Sequence, residues 1–202
     1  MTVEFDEVRH RYYVDGEFVP SVTQIVAPLG ADYDEPDEML ESALDAATDR
    51  GVTMHAYLAH RLDGGDPEEF ELPYIYEPYA DAVELFLSEH KITPLAVETP
   101  MPARGFAGTP DLVAEFDGQT AILDYKFVSQ VSKSKVGAQL SGYRELCDQN
   151  GIFVDALYAV QFLRDGTYRL YPVGIGTSCA MFKACLQIWE YKTQRHPRGR
   201  IC

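Results

Sequence analysis

The sequence predicts an α/β (α+β) domain in which a central mixed β-sheet is flanked by helices. Strand patterns come in adjacent pairs joined by Asp-Gly turns at 117–118 and 165–166. Helical patterns stand before, between and after these pairs, an order typical of a sheet layered with helices. The chain has 202 residues, 46% of them hydrophobic, which is enough for one core. We therefore expect a single domain over residues 1–202.

Residues 1–30 are expected to form an N-terminal hairpin followed by a short helix. Asp15-Gly16 marks the turn between the strand patterns at 12–14 and 18–19. Ser21 is a candidate N-cap for the helix. The hairpin could form a brace over a site or simply cover the core, and the residues leave both interpretations open.

Helical periodicity follows over about 36–62, as one helix or as two that break near Arg50-Gly51. On its apolar face lies His55, and a histidine on such a face is most often a structural residue. A second amphipathic helix is predicted from 76 or 77 to 90, with Ala80, Val83 and Leu87 facing inward. Residues 92–99 then read as a strand, with Glu98 near its end.

The most informative segment is 108–126. Residues 112–116 and 121–123 have strand patterns around the Asp117-Gly118 turn. Antiparallel pairing about that turn brings Asp111, before the first strand, close to Asp124, after the second. Lys126 is two positions beyond Asp124, so both side chains point to the same face.

Asp and Lys are poor strand residues and are costly to bury unpaired, so this arrangement needs a cause. A divalent cation provides one, because Mg²⁺ takes carboxylate and carbonyl oxygens and commonly sits where a phosphate binds. The carbonyl of Tyr125 could join Asp111 and Asp124 as a ligand. The alternative is a surface hairpin that ends in an Asp–Lys ion pair, and these residues alone do not decide between the two.

After a basic loop, a helix is predicted over about 135–149, with Gln139 and Tyr143 one turn apart on one side. Lys133 and Lys135 are suited to phosphates, although a solvated loop explains them equally well. A strand pair at 153–163 and 167–173 precedes a terminal helix over about 178–194 and a basic tail at 195–202. The residues expected to face inward from that helix are Met181, Leu186, Ile188 and Trp189.

The charge is distributed unevenly. Residues 1–126 hold 27 acidic and 7 basic side chains, whereas residues 127–202 hold 5 acidic and 10 basic ones. The net charge of −15 argues against tight non-specific binding to nucleic acid, but the basic part can still meet phosphate. The four cysteines show no CxxC spacing and are expected to be reduced thiols.

The pair of motifs at 110–126 resembles the PD-(D/E)XK nuclease motif. Pro110-Asp111 is followed, after twelve residues, by Asp124-Tyr125-Lys126, and Gln139 and Tyr143 then match the later helix of the RecB-like, phage-type exonuclease branch. The Tyr-rich hairpin running into Pro20-Ser21-Val22-Thr23 is similar to the start of such exonucleases. The resemblance covers most of the chain and implies a restriction-endonuclease-like core.

The resemblance also implies roles for individual residues. Asp111, Asp124 and the Tyr125 carbonyl would bind Mg²⁺ or Mn²⁺, and Lys126 would orient the attacking water or stabilise charge on the phosphate. His55, in a Gly-x-x-x-His pattern with Gly51, and Glu98 would complete the metal site. The resemblance implies that Gln139 and Tyr143 bind substrate or support the ligands, and Lys133 and Lys135 are added as candidates for binding phosphate from their position in the sequence.

The function implied is a metal-dependent exonuclease that acts on DNA ends, single- or double-stranded, in recombination, repair or phage DNA processing. An endonuclease of the same fold is one alternative, and a catalytically inactive DNA-binding subunit of a recombination complex is another. A recombination partner protein is therefore possible, and the oligomeric state is open. No membrane span or signal peptide is apparent, so we expect a cytoplasmic protein.

Overall fold

The computed structural model of the protein describes residues 1–30 and 38–194. Short 3₁₀ turns lie at Ala27–Gly30, Pro67–Glu69 and Tyr74–Tyr76. The strands are β1 Val3–Asp6, β2 Arg11–Val14, β3 Glu17–Val19, β4 Ile92–Val97, β5 Met101–Ala103, β6 Phe106–Gly108, β7 Leu112–Phe116, β8 Gln119–Lys126, β9 Ala156–Phe162 and β10 Tyr168–Pro172, and the helices are α1 Val22–Val26, α2 Glu38–Leu62, α3 Glu77–Glu89, α4 Lys133–Gln149 and α5 Ile175–Gln194.

The central sheet has five strands in the order β10-β9-β8-β7-β4. β8 and β9 are parallel and connected through α4, whereas the other neighbouring pairs are antiparallel. This mixed sheet with helices on its faces confirms the predicted α/β class. The Asp117-Gly118 turn is also confirmed, since φ is 50° at Asp117 and 87° at Gly118, the left-handed values that a tight hairpin of this kind requires.

Alternating residues of β8 divide the core into two layers. Ile122 belongs to a cluster with residues of α1, α4 and α5, whereas Leu123 and Tyr125 belong to a cluster with residues of α2 and α3. Each fully buried side chain of this size contributes about 1.5–3 kcal/mol, so these clusters hold the helices against the sheet. Asp124 and Lys126 therefore point to the α4 side.

The N-terminal segment forms the predicted hairpin and adds a third strand, with the order β1-β2-β3. Ser21 caps α1 as predicted, because its hydroxyl accepts from the Gln24 N–H and the Gln24 side chain accepts from the Ser21 N–H. The two-stranded sheet of β5 and β6 was not predicted. It occupies a segment whose prolines and glycines obscure strand periodicity.

Several predicted boundaries were wrong. α2 continues through Arg50-Gly51 without the suggested break, because a single glycine within a long helix only weakens it. α4 begins two residues before its predicted start and α5 three residues before its own. Pro36 and the basic tail at 195–202 lie outside the described residues.

The predicted inward faces of two helices were right in part. Ile188 of α5 is 48% exposed. The buried residues of this helix are instead Phe182 and Cys185. In α3 the deepest residues are Ala82, Val83 and Phe86, with Ala80 and Leu87 only partly buried at the margin. Periodicity therefore identified most of the inward residues, since Val83 is fully buried and Met181, Leu186 and Trp189 pack against the core, whereas Ile188 does not.

Among the described residues, Cys147, Cys179 and Cys185 are free thiols, and Cys202 is outside that part of the chain. None of the helices within the described residues combines the length and apolarity needed to cross a bilayer.

Candidate functional site

The β7–β8 hairpin brings two acidic residues together at one edge of the sheet. Asp111 immediately precedes β7, and the pairing of Leu112 with Leu123 sets it beside the end of β8. The Asp111 Oδ2 atom accepts a hydrogen bond from the Tyr125 N–H at 2.7 Å. The predicted meeting of Asp111 with the 124–126 segment is therefore direct, through the backbone.

Asp124 is a carboxylate with no solvent exposure. Its Oδ2 atom lies 2.6 Å from the Lys126 Nζ, which confirms that the two side chains share a face. Its Oδ1 atom accepts no hydrogen bond from the described residues. A buried acceptor left unsatisfied costs about 1–3 kcal/mol, and more when it is charged, so this oxygen is suited to a ligand.

His55 and Glu98 reach the same place from α2 and from the end of β4. The His55 Nδ1 atom lies 3.4 Å from the Glu98 Oε1 and 3.8 Å from the Asp111 Oδ1. Glu98 has a φ of 42°, in the left-handed region, and its N–H donates to the Asp111 carbonyl at 3.1 Å. A non-glycine residue held in this conformation is fixed by its surroundings and is common at functional sites.

Burial and charge act in opposite directions on these groups. Burial lowers the pKa of His55, but Asp111 and Glu98 outweigh it, and the pKa is raised overall. Burial raises the pKa of Asp111 to about 6, with Asp124 adding to the rise and His55 opposing it. The pKa of Lys126 is also raised, because Asp124 and Asp111 outweigh the effect of burial, so its ammonium is charged at neutral pH.

Gln139 and Tyr143 line the α4 side of this site. Both side chains are buried, and the Gln139 Nε2 donates to the Tyr143 hydroxyl at 2.9 Å. Burial, followed by the charges of Asp111 and Asp124, raises the pKa of Tyr143.

Other predicted residues are less central. The Tyr125 ring lies on the opposite face of the sheet, 6.1 Å from the His55 ring, so only the backbone of Tyr125 adjoins the carboxylates. Lys133 lies at the start of α4 with its Nζ 5.9 Å from the centroid of the Tyr171 ring, and Lys135 is half-buried in the first turn. Neither lysine forms an ion pair with the described carboxylates of the site.

Some residues of the site were not predicted. The Arg50 Nε donates to the Phe127 carbonyl at 2.7 Å and so anchors the chain directly after Lys126. The Tyr12 hydroxyl lies 2.7 Å from the Thr109 Oγ1, which joins the N-terminal hairpin to the segment before Asp111. A cavity of about 310 Å³ is lined by residues of this hairpin and by Thr109 and Tyr143.

The site offers a divalent cation a pair of carboxylates and not a complete set of ligands. No three of the His, Cys, Asp or Glu side chains that the structure describes are close enough together to enclose a metal ion by themselves. The unsatisfied Asp124 Oδ1 and the neighbouring Asp111 form instead a pair of carboxylates. This agrees with Mg²⁺, which is usually bound by one or two carboxylates and takes its other ligands from water and phosphate.

Comparisons with known proteins give only distant similarity. No protein-family model matches the chain, and no curated protein matches it by sequence. The chain is similar to the crystal structure of an alkaline exonuclease from Laribacter hongkongensis, with 15% identity over 87% of this chain and 91% of that one and a TM-score of 0.36. The complex of that exonuclease with dAMP gives 14% identity over 88% and 92%, with a TM-score of 0.35.

The protein SSO0001 is similar at 13% identity over 90% of this chain and 86% of that one, with a TM-score of 0.41. These identities and scores are too low to carry an argument about the site.

Proposed function

We propose that the protein is a divalent-metal-dependent deoxyribonuclease that hydrolyses phosphodiester bonds, acting as an exonuclease. One observation carries the proposal. The fully buried Asp124 carboxylate keeps one oxygen without a hydrogen bond, beside a second carboxylate, Asp111, and a charged ammonium, Lys126. Two carboxylates and a cation at one sheet edge form a site for metal-assisted attack on a phosphate.

In this proposal Asp111 and Asp124 hold Mg²⁺ or Mn²⁺ together with the Tyr125 carbonyl, and water and phosphate complete the ligands. His55 and Glu98, expected from the resemblance as further ligands, lie beside Asp111. A bound divalent cation lowers the pKa of water and offsets the negative charge that develops on the phosphate. The contact of His55 with Glu98 and Asp111 fixes the direction of its ring. The strained Glu98 brings a third carboxylate to the same edge.

Lys126 acts on the reacting groups with its Nζ, which Asp124 holds in place at 2.6 Å. Because its pKa is raised, the ammonium keeps its protons and donates hydrogen bonds to the attacking water or to a phosphate oxygen. The hydroxyl of Tyr143, oriented by Gln139, can donate to the same phosphate from the α4 side.

DNA ends are the proposed substrate because the resemblance of Gln139 and Tyr143 favours the exonuclease branch. The experiment is digestion of end-labelled linear DNA and of a covalently closed circle, with Mg²⁺, Mn²⁺ or EDTA. The wild type is compared with Lys126→Ala and with the exposed control Lys183→Ala. We expect the wild type and the control to degrade linear DNA only when metal is present, and Lys126→Ala to be slower by about 10²–10³.

Each other outcome has a definite meaning. Cutting of the closed circle would identify an endonuclease at the same site. Binding of DNA without cutting of either substrate would identify a binding subunit, and equal activity of Lys126→Ala and wild type would overturn the assigned site.

A further inference from the structure

A second cavity adjoins the site on the α4 side of the sheet. Its volume is about 680 Å³, within the range typical of small-molecule sites. Lys126 of β8 is the register partner of Gln161 of β9, and Gln161 lines the cavity. Neighbouring strands are about 4.8 Å apart, so the cavity begins one strand away from the Lys126 side chain.

The floor of the cavity is held rigidly. Gln161 is 2% exposed, and its Nε2 donates to the carbonyls of Val128 and Ser129 at 2.8 and 3.1 Å. Its Oε1 accepts from the Tyr171 hydroxyl at 3.0 Å. These bonds fix the loop that follows Lys126 and orient the Tyr171 ring along the cavity wall.

The mouth of the cavity is positively charged. Lys133 and Arg169 line it, no acidic residue does, and neither cation forms an ion pair with a carboxylate in the described part of the chain. Ser132 is the N-cap of α4, and its side chain makes no capping hydrogen bond. The N–H groups in the first turn of this helix, which begins at Lys133, are therefore not capped by the side chain of Ser132. Cations next to a helix N-terminus favour a phosphate group.

The remaining wall is apolar and aromatic. Val136 of α4 and Tyr171 of β10 contribute to it, together with other aliphatic side chains. A cavity of this size is larger than an inorganic phosphate requires. It combines a charged mouth for phosphate with apolar surface for a sugar and a base, which are the recognition elements of a nucleotide.

We propose that this cavity binds one unpaired nucleotide next to the scissile phosphate, with its phosphate on Lys133 and Arg169 and its base against Tyr171. The inference rests on the proposed nuclease function and adds a substrate preference to it, namely for a strand whose terminal or neighbouring nucleotide is unpaired. The nucleotide can be part of a strand or a free nucleoside monophosphate, since both present the same chemical groups.

The test is binding of the full chain, in EDTA so that no cutting occurs, to a labelled single strand of about 12 nucleotides. The double variant Lys133→Gln/Arg169→Gln is compared with Arg104→Gln/Lys183→Gln, which changes the net charge equally at exposed positions outside the cavity. We expect the cavity variant to bind at least about tenfold more weakly than the control. We also expect the slope of log affinity against log salt to be smaller by about 0.7, the value for the one phosphate that the two substituted side chains no longer neutralise.

A blunt duplex and the mononucleotide dTMP separate the possible ligands. If dTMP competes for the wild type and competes less well for the cavity variant, a free nucleotide enters the cavity. If the cavity variant loses only strand binding, the nucleotide enters as part of a strand. Either result supports the proposal. Equal affinities of the cavity variant and the control, or an equal loss for the duplex, would overturn it.

A photocrosslink provides a second measurement that needs no substitution. A strand carrying 4-thiothymidine should crosslink to the peptide that contains Tyr171, and crosslinking only to peptides elsewhere would overturn the proposal. Failure of the nuclease hypothesis would appear separately, as a wild-type protein that binds DNA but does not cut it when Mg²⁺ is present. If the wild type cuts DNA but substitution of Lys133 and Arg169 does not change strand binding, only the cavity proposal would be overturned.

Discussion

At the scale of single residues, Asp124 carries more of the proposed chemistry than any other side chain. Its carboxylate is fully buried, paired on one oxygen with Lys126 and without a hydrogen bond on the other. A fold that needed only an ion pair would gain more by satisfying both oxygens, because an unpaired buried acceptor lowers stability. The open oxygen is therefore the observation on which the proposed metal ligand rests.

The first prediction concerns this oxygen. Asp124→Asn keeps the shape of the side chain but removes its charge, so we expect cutting of linear DNA to fall by about 10²–10³. Because ligand binding stabilises the folded state by mass action, Mg²⁺ should raise the melting temperature of the wild type but not that of the variant. Differential scanning calorimetry with Mg²⁺ and with EDTA provides the measurement.

The control is Asp148→Asn, an exposed carboxylate on α4. It should retain both the activity and the response to Mg²⁺. If Asp124→Asn were stabilised by Mg²⁺ as strongly as the wild type, Asp124 would not be a ligand.

At the scale of elements, close packing positions α4 over the site. A Cβ atom added at Gly142 of α4 would lie 2.6 Å from the Phe182 ring and 2.7 Å from the Val22 side chain. Both neighbours are fully or almost fully buried, so neither can move away easily. Gly142 therefore permits the contact of α4 with α1 and α5 that holds Gln139 and Tyr143 in place.

The second prediction compares two glycines in helices. Gly142→Ala should lower the free energy of unfolding by about 1–3 kcal/mol, through overpacking. Gly51→Ala in α2 should raise it by about 0.5–1 kcal/mol, because a Cβ there meets nothing within 4 Å and alanine favours the helix. Urea unfolding measures both changes, and destabilisation by Gly51→Ala would contradict the open space at that position.

The third prediction concerns the contact between α2 and α3. Glu84 accepts hydrogen bonds from Arg61 at 2.7 and 2.9 Å and from the Tyr57 hydroxyl at 2.7 Å. The bonds from Arg61 lower the pKa of Glu84 from its ordinary value of 4.5, against the effect of burial. The stabilisation is therefore complete well above pH 4.5 and is lost as the pH falls through the lowered pKa of the folded state.

Glu84→Gln should lower the free energy of unfolding at pH 7 by up to about 1 kcal/mol, a modest value because solvent screens this partly exposed pair. The difference from the wild type should shrink as the pH is lowered below about 4.5. Urea unfolding at a series of pH values measures it, with the exposed Glu68→Gln as control. A difference that stays constant down to about pH 3 would contradict the assignment to an ionised Glu84.

Local patterns predicted the hairpin of the site because the residues that form it are contiguous in the sequence. The Asp117-Gly118 turn and the period of two sufficed to place Asp111 near Lys126 and to put Asp124 and Lys126 on one face. The parallel pairing of β8 with β9 is a tertiary feature, since it joins strands separated by a helix. The place of Gln161 beside Lys126 could therefore not be predicted from periodicity.

The histidine of α2 shows a different limit. The resemblance placed His55 at the site through a Gly-x-x-x-His pattern, and the structure does bring it to Glu98 and Asp111. The glycine of the pattern does not explain this placement, because a Cβ atom added at Gly51 would meet nothing within 4 Å. A sequence pattern can thus predict which residues lie near one another without explaining the packing that places them there.

At the scale of the whole molecule, charge separates the parts of the chain that lie around the site. Residues 1–126 have a net charge of −20 and residues 127–202 a net charge of +5. The second group includes α4, β9 and β10, which carry Lys133 and Arg169 beside the cavity. The acidic part repels DNA and also repels itself, so added salt should act on binding and on stability in opposite directions.

The last prediction follows from this separation. Raising KCl from about 50 to about 200 mM should slow the cutting of dilute DNA by at least about tenfold, because contacts with phosphates release counterions that salt opposes. The same change should raise the melting temperature of the free protein, because it screens repulsion among the acidic side chains. Initial rates and calorimetry on one preparation measure both effects, and the charge-matched variants Lys133→Gln/Arg169→Gln and Arg104→Gln/Lys183→Gln identify where the salt acts. Lys133→Gln/Arg169→Gln should lose part of the salt dependence of cutting, and Arg104→Gln/Lys183→Gln should keep it. A melting temperature that falls with KCl would contradict the prediction, because it would show that attraction between charges outweighs repulsion in the folded chain.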